Sequence, residues 1–328
     1  MALLGSLTSG VSSLRTFTTQ IEVIGNNIAN VNTNGFKGSN ATFSDMFSNV
    51  LRNSSPAPGN GASNTPVMEV GTGVQLAAIT RDFGQGTLSP TGITSNLAIS
   101  GDGFFVVKDP VNGDTFVTRA GDFRLDDQGY LVTPEGLRVQ GMTGGTATYE
   151  AVEVGGVLVY NRTSTTLPAA VGDIRIHFDI RVGSGLTNNT GGAFTDDQVN
   201  AARPAFDSYS IDRYGKITAT LTNGDLVELG NVLLMNFQDP TALTAEGNNL
   251  FGSLGNAGPI GGLTLSMANN APGTNGLGKV QSGAVELSNV DLAEEFATLI
   301  SAQRAFQAGS RIITVSDAVL EDIINLKR

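Results

Sequence analysis

Residues 1–32 read MALLGSLTSGVSSLRTFTTQIEVIGNNIANVN, and residues 289–328 read NVDLAEEFATLISAQRAFQAGSRIITVSDAVLEDIINLKR. In the first stretch Leu7, Leu14, Ile21 and Ile28 recur every seven residues, with Leu3, Phe17, Ile24 and Val31 beside them. In the second, Leu292, Leu299, Phe306, Ile313 and Leu320 form a matching column, flanked by Ala305, Ile312, Val319 and Leu326. A seven-residue apolar repeat keeps one seam of a helix turned toward a partner helix in a left-handed supercoil. The long stretch between the two reads as short strands and turns. The expected fold class is therefore α+β, with both chain ends pairing as a helical coiled coil. Two helices packed separately on the middle of the chain is the plainer alternative. Neither end has a sequence neighbour of helical period, so other copies of the chain are expected to complete its burial. The nine column residues are the candidate self-assembly residues.

The first helix should end near Val31, because Asn30, Asn32, Asn34 and Gly35 favour turn and left-handed conformations. Gly5, Gly10 and Gly25 lie inside it, each costing about 1 kcal/mol relative to alanine. A helix with that handicap is marginal alone in water and needs neighbours to order it. The second helix is expected to start at a capping box, Ser288-Asn289-Val290-Asp291, with Ser288 accepting from first-turn amides. With one glycine and no proline beyond that point, it can reach about 55 Å at 1.5 Å per residue.

Working inward, Phe36, Phe43, Met46 and Phe47 suggest a short helical piece. After it, Ser54, Pro56, Pro58, Gly59, Gly61 and Pro66 read as an extended linker. Strands are expected at 74–79, 97–99, 104–107, 115–118, 123–125 and 130–132, separated by glycine turns. Strand patterning returns at 209–211, 217–221, 226–229 and 232–237. Between the two blocks, Ile174, Ile176, Phe178 and Ile180 alternate with Arg175, His177, Asp179 and Arg181, as in a strand with one buried face. The expected organisation has four parts. Residues 1–32 and 289–328 form a helical core domain, and 33–70 a linker. Residues 71–144 and 208–288 form a β-rich inner domain, and 145–207 a small inserted outer β domain.

Composition narrows the function. The chain has 328 residues, 42 glycines and only 15% charged residues, which suits a turn-rich β protein with sizeable cores. Its net charge is −11; the first 50 residues balance and the last 39 carry −2, leaving −9 in the middle. Near-neutral ends and an acidic middle fit ends buried in an assembly and a solvated body. The acidic balance argues against nucleic acid, whose phosphates require clustered Lys and Arg. With no cysteine there is no disulfide, thiolate metal site or cysteine nucleophile. Arg15 is the only base in the first 30 residues and no continuous apolar run follows it, so a cleaved secretory signal is not expected. No stretch approaches the roughly 18 apolar residues of a membrane span. These features describe a protein that stays in the cytosol or leaves by a route needing no cleaved signal.

Catalytic patterns are lacking. The sequence holds no G-x-S-x-G, P-loop, G-x-G-x-x-G or H-E-x-x-H motif. The one histidine, His177, falls on the polar face of an amphipathic strand and reads as a surface residue. Asp109, Asn112 and Asp114 resemble part of a calcium loop, but its late glutamate is missing and a hairpin turn explains them better. The expectation is a non-enzyme with no metal site and no cofactor.

Several blocks in fixed order carry more information. Asn26, Asn27, Ile28, Ala29 and Asn30, followed by Thr33, Gly35, Phe36 and Lys37, resemble the N-terminal signature of the bacterial flagellar rod, hook and hook-associated proteins. The run Leu97–Val107 is similar to that family's shared inner-domain block, and Thr118–Phe123 and Gly129–Val132 follow it as the family would have them. Gly283–Leu292, Ala302–Ala308 and Ile324–Arg328 resemble its closing blocks. Within the family the run Ala41–Phe47, the Asn-Leu-Lys-Arg ending and the insertion after Gly144 resemble hook subunits more than distal rod subunits. The insertion is smaller than hook subunits usually carry. The resemblance implies a homopolymer forming a curved hollow tube, a universal joint that passes motor torque to the filament. A rigid drive shaft of the basal body is the alternative, and a secreted β-rich binding protein or enzyme a remote one. It implies as partners rod, hook-cap and hook–filament junction proteins and the flagellar type III export apparatus. It also implies an extracellular place on the flagellum, without nucleic acid or membrane insertion.

Overall fold

The computed structural model describes residues 2–54, 66–154, 157–176, 181–182 and 205–326. They divide into two compact units. The first comprises Met1–Asn32, Lys37–Phe83 and Val290–Arg328; the second comprises Thr33–Phe36 and Gly84–Asn289. The fold mixes helix and sheet, with a long helix at each terminus and a β-rich core.

In the first unit the N-terminal helix runs Ala2–Ala29 and the C-terminal helix Leu292–Leu326. They pack antiparallel: Gly10 lies against Ile312 and Ile313, and Asn27 reaches Glu295 at the other end. The C-terminal helix is capped by Asp291 rather than by the expected Ser288. Its Oδ1 accepts from the Ala293 amide at 2.7 Å and its carbonyl from the Glu295 amide at 3.0 Å. A carboxylate at that end also favours the positive pole of the helix dipole, which a serine hydroxyl does less well.

Residues expected to form a short helical piece and a linker instead supply strands. Ser39–Asp45 pairs antiparallel with Val74–Arg81, and Ser48–Arg52 pairs with Met68–Gly71. Phe43, read as a helix anchor, sits at a bulge in the first of these pairs, its ring edge-on to Phe17 at 6.2 Å. The polar run Ser39-Asn40-Ala41-Thr42 has no strand signature of its own; it becomes a strand because a partner of strong β pattern is available. Residues 55–65, the centre of the expected linker, lie outside the described residues.

The second unit is built on an antiparallel sheet. Its main path runs Phe206–Ile211, Lys216–Leu221, Leu226–Val232, Arg138–Thr143, Phe104–Lys108, Thr115–Thr118, Leu250–Gly252 and Thr244–Gly247. Lys216–Leu221 alternates half-buried and buried, as a strand with one covered face should. Phe104–Val107 does not alternate, because both faces are covered there. Phe105 meets Phe123 edge-on at 5.1 Å, while its neighbour Phe104 meets Phe237 and Phe251 at 5.7 and 6.1 Å. Two further pairs close the unit: Leu97–Ser100 with Lys279–Ser282, and Leu88–Pro90 with Ala284–Glu286. Strands early and late in the chain thus share one core.

The inserted stretch contributes a hairpin of Thr146–Val154 and Val157–Thr166. Of the expected amphipathic strand at 174–180 only 174–176 lie among the described residues: Ile174 and Ile176 are buried, Arg175 bridges Tyr130, and just beyond the stretch Arg181–Val182 pairs parallel with Thr148–Tyr149. His177, Phe178 and Ile180 lie outside the described residues.

Candidate assembly surface and signature blocks

Small residues lie where the two helices of the pair meet. A methyl group added at Gly10 would stand 3.0 Å from Ile313 Cγ1, and one at Gly309 would stand 2.9 Å from Ser13 Oγ and 3.3 Å from Leu14 Cδ2. The buried positions of the C-terminal helix are Ala302, Gly309 and Ser316, again seven apart but small. The column of large residues lies beside that line. Leu299, Ile313 and Leu320 are half-buried, whereas Leu292 and Phe306 are 41% and 37% exposed. On the N-terminal helix Leu7, Leu14, Ile21 and Ile28 are all half-buried, and Ile24 is the buried aliphatic residue. The apolar periodicity therefore marks a stripe wider than one helix–helix seam, and part of it faces water.

The signature residues divide by role. Asn27 is buried, and its amide grips the start of the first strand in both senses: Nδ2 donates to the Ser39 carbonyl at 2.9 Å and Oδ1 accepts from the Ser39 amide at 3.0 Å. The same Nδ2 donates to Glu295 Oε1 at 2.8 Å, so one side chain ties the N-terminal helix, the sheet and the C-terminal helix. Asn26 and Asn30 close the helix end, with the Asn30 amide and Nδ2 donating to the Asn26 carbonyl at 3.2 and 3.0 Å. Gly35 holds φ +67° and a Cβ there would lie 2.5 Å from the Ala120 nitrogen, so only glycine fits. Phe36 is half-buried, and Lys37 is almost wholly buried.

In the second unit the family-like blocks meet at one buried ion pair. Arg119 Nε donates to Glu286 Oε2 at 2.6 Å, and the guanidinium also donates to the carbonyls of Gly101 and Gly103. Glu286 Oε1 accepts from the Gly86 amide at 2.8 Å, and its backbone carbonyl from the Gly35 amide at 2.7 Å. Buried charges are tolerable only when paired and fully hydrogen-bonded, and this pair satisfies both conditions. Four separated segments are held by two side chains. Nothing in local sequence pattern marks Glu286, Glu295 or Gly309 for these tasks, since each partner is more than 150 residues away in the chain.

Asp109, Asn112 and Asp114 form the expected turn: Asp109 carboxylate oxygens accept from the Val111 amide and Asn112 Nδ2. Among the described residues no cluster of three or more His, Asp or Glu is placed to hold a metal ion. Burial pushes the Tyr209 phenol up, and the Asp173 carboxylate bonded to Arg138 raises that guanidinium. No helix of the described residues is long and apolar enough to cross a membrane.

Comparisons with known proteins agree with this layout. Residues 7–37 match the flagella basal body rod protein family, residues 98–219 the flagellar hook protein FlgE/F/G D1 domain, and residues 281–326 the flagellar basal body rod FlgEFG protein C-terminal family. The chain is 36% identical to the flagellar basal-body rod protein FlgG of Bacillus subtilis, covering 99% of this chain and 100% of that one. It is 28% identical to the flagellar hook protein FlgE of Borreliella burgdorferi, over 98% of this chain and 99% of that one. Against the FlgE of Escherichia coli it is 26% identical, over 98% of this chain and 100% of that one.

Proposed function

Since this chain belongs to the flagellar rod and hook protein family of structural proteins, we propose that it is a self-assembling subunit of the flagellar hook. The observation that carries this is the apolar face left in water on the C-terminal helix: Leu292, Phe296, Ile300, Ile312, Val315, Val319 and Ile323 are all exposed. A helix apolar on more than one side is stable only when more than one neighbour covers it. In this reading the terminal helices pair as a coiled coil in the wall of the tube and the acidic body lies outside, with 145–207 as an outer insertion. The subunit leaves the cell through the type III apparatus and meets rod, cap and junction proteins at the ends of the polymer.

A second reading, the distal rod, is favoured by the alignments. The FlgG match spans 327 positions, close to this chain's own 328, whereas the FlgE matches spread over 428 to 471. Electron microscopy of the polymerised chain separates the two: curved tubes support the hook, short straight ones the rod. A chain that stays monomeric at high concentration would overturn both.

A further inference from the structure

The first unit has an open groove of about 800 Å³ between the N-terminal helix and the strand Val74–Arg81, lined by Leu7, Val11, Met46, Val74 and Leu76, with Arg15 among them. Gly10 and Leu14 face the chain's own C-terminal helix, while Val11, Arg15 and Thr19 line the groove on another side of the N-terminal helix, with Leu7 at the edge between the two. We propose that it receives the C-terminal half of the C-terminal helix from a second copy of this chain; the inference rests on the polymer reading and names its contact.

The complementarity is one of shape, polarity and charge. The groove follows the N-terminal helix from Leu7 to Thr19, about 18 Å at 1.5 Å per residue. On the C-terminal helix Ile312, Val315, Val319 and Ile323 fall at spacings of three and four residues, all exposed. That stripe runs about 17 Å, which matches the groove's length. Arg15 has no ion-pair partner among the described residues. Asp322 stands on the flank of the stripe between Val319 and Ile323, where it meets Arg15 when the stripe lies in the groove. Arg311, on the same flank, is eleven residues away, about 17 Å. Seated this way, the N-terminal helix lies between two C-terminal helices, its own and a neighbour's, and each copy both offers and fills one groove. Such a contact is head-to-tail and propagates, as a polymer requires.

Cysteine pairing tests it cleanly, because the chain has none of its own. In the full chain carrying Val11→Cys and Val319→Cys, the two sites of one molecule are too far apart to bridge. Gly10 is level with Ile312 and Ile313, which puts Val319 about 9 Å farther along the helix, and a disulfide needs Cα atoms within about 7 Å. Mild oxidation of the polymer is expected to give a ladder of covalent dimers and higher oligomers on a denaturing gel. Polymer that forms but yields only monomer overturns the groove contact and leaves the function reading standing. Failure of the unsubstituted chain to polymerise sinks the function reading as well. Charge reversal is the second measurement: Arg15→Asp or Asp322→Arg alone should raise the concentration needed for polymerisation about tenfold or more. The two together should recover most of that loss, and no recovery overturns the pairing.

Discussion

Truncating Glu286 to alanine would strand the Arg119 guanidinium inside the second unit, 4% exposed and without its carboxylate. Removing one partner of a buried pair costs about 3–5 kcal/mol, more than the pair itself contributes. Glu286→Ala should therefore lower the denaturant midpoint of that unit severely. The double change Arg119→Met with Glu286→Leu should cost clearly less than either single change, which equilibrium unfolding would show; equal costs would mean that the ion pair is not what holds the four segments. Asn27→Ala tests the other tie. It removes three hydrogen bonds at a buried site, for a cost of about 1–3 kcal/mol, read as earlier thermal loss of helical signal. Roles of this kind were not legible in the sequence. Asn27 stood out only through resemblance, and its partner Glu295 looked like an ordinary first-turn acid, because hydrogen bonds across 268 residues leave no local trace.

At the scale of elements, patterns that depend on neighbours in sequence were legible and those that depend on distant partners were not. The strand at 115–118 falls where the glycine-punctuated patterning put it, and so, within a residue or two, do those at 97–100 and 104–108. The helices were legible from their period, but the surface on which they meet was not. The large column Leu292 to Leu320 drew attention, while Gly10 and Gly309 sit where the two helices leave no room for a larger side chain. Gly10, counted as a cost to its helix, is like Gly309 a position where the packing leaves little room for a side chain. Gly5 and Gly25 have open space instead: a methyl group added at either would meet nothing within 4 Å. The four should accordingly respond in opposite directions. Gly5→Ala and Gly25→Ala should stabilise the helix by up to about 1 kcal/mol each. Gly10→Leu and Gly309→Leu should force the helices apart and abolish the pair, as proteolytic trimming of both ends would reveal. Protection of the ends in Gly309→Leu would mean that the helices do not meet there.

At the scale of the whole molecule, charge and burial follow the same division. The chain's ends are close to neutral and carry the exposed aliphatic stripe, while the middle carries −9 of the net −11. The second unit has a core of its own, from Leu97, Ile99 and Phe105 through Ile217 to Val280. Its strands Leu88–Pro90 and Ala284–Glu286 pair with each other, as do Leu97–Ser100 and Lys279–Ser282, so it is closed by pairing near both of its ends. It should stand without the terminal helices. A fragment of residues 84–289 is expected to fold cooperatively and to stay monomeric across concentrations at which the full chain forms tubes. Mutual repulsion between acidic bodies also predicts that added salt promotes assembly of the full chain, because screening weakens that repulsion without touching apolar burial. Sedimentation of both species over a salt series decides between layouts. A fragment that polymerises by itself would place the principal interface in the second unit, and full-chain tubes that dissolve as salt rises would make ion pairs, rather than the apolar helix faces, the main bond between copies.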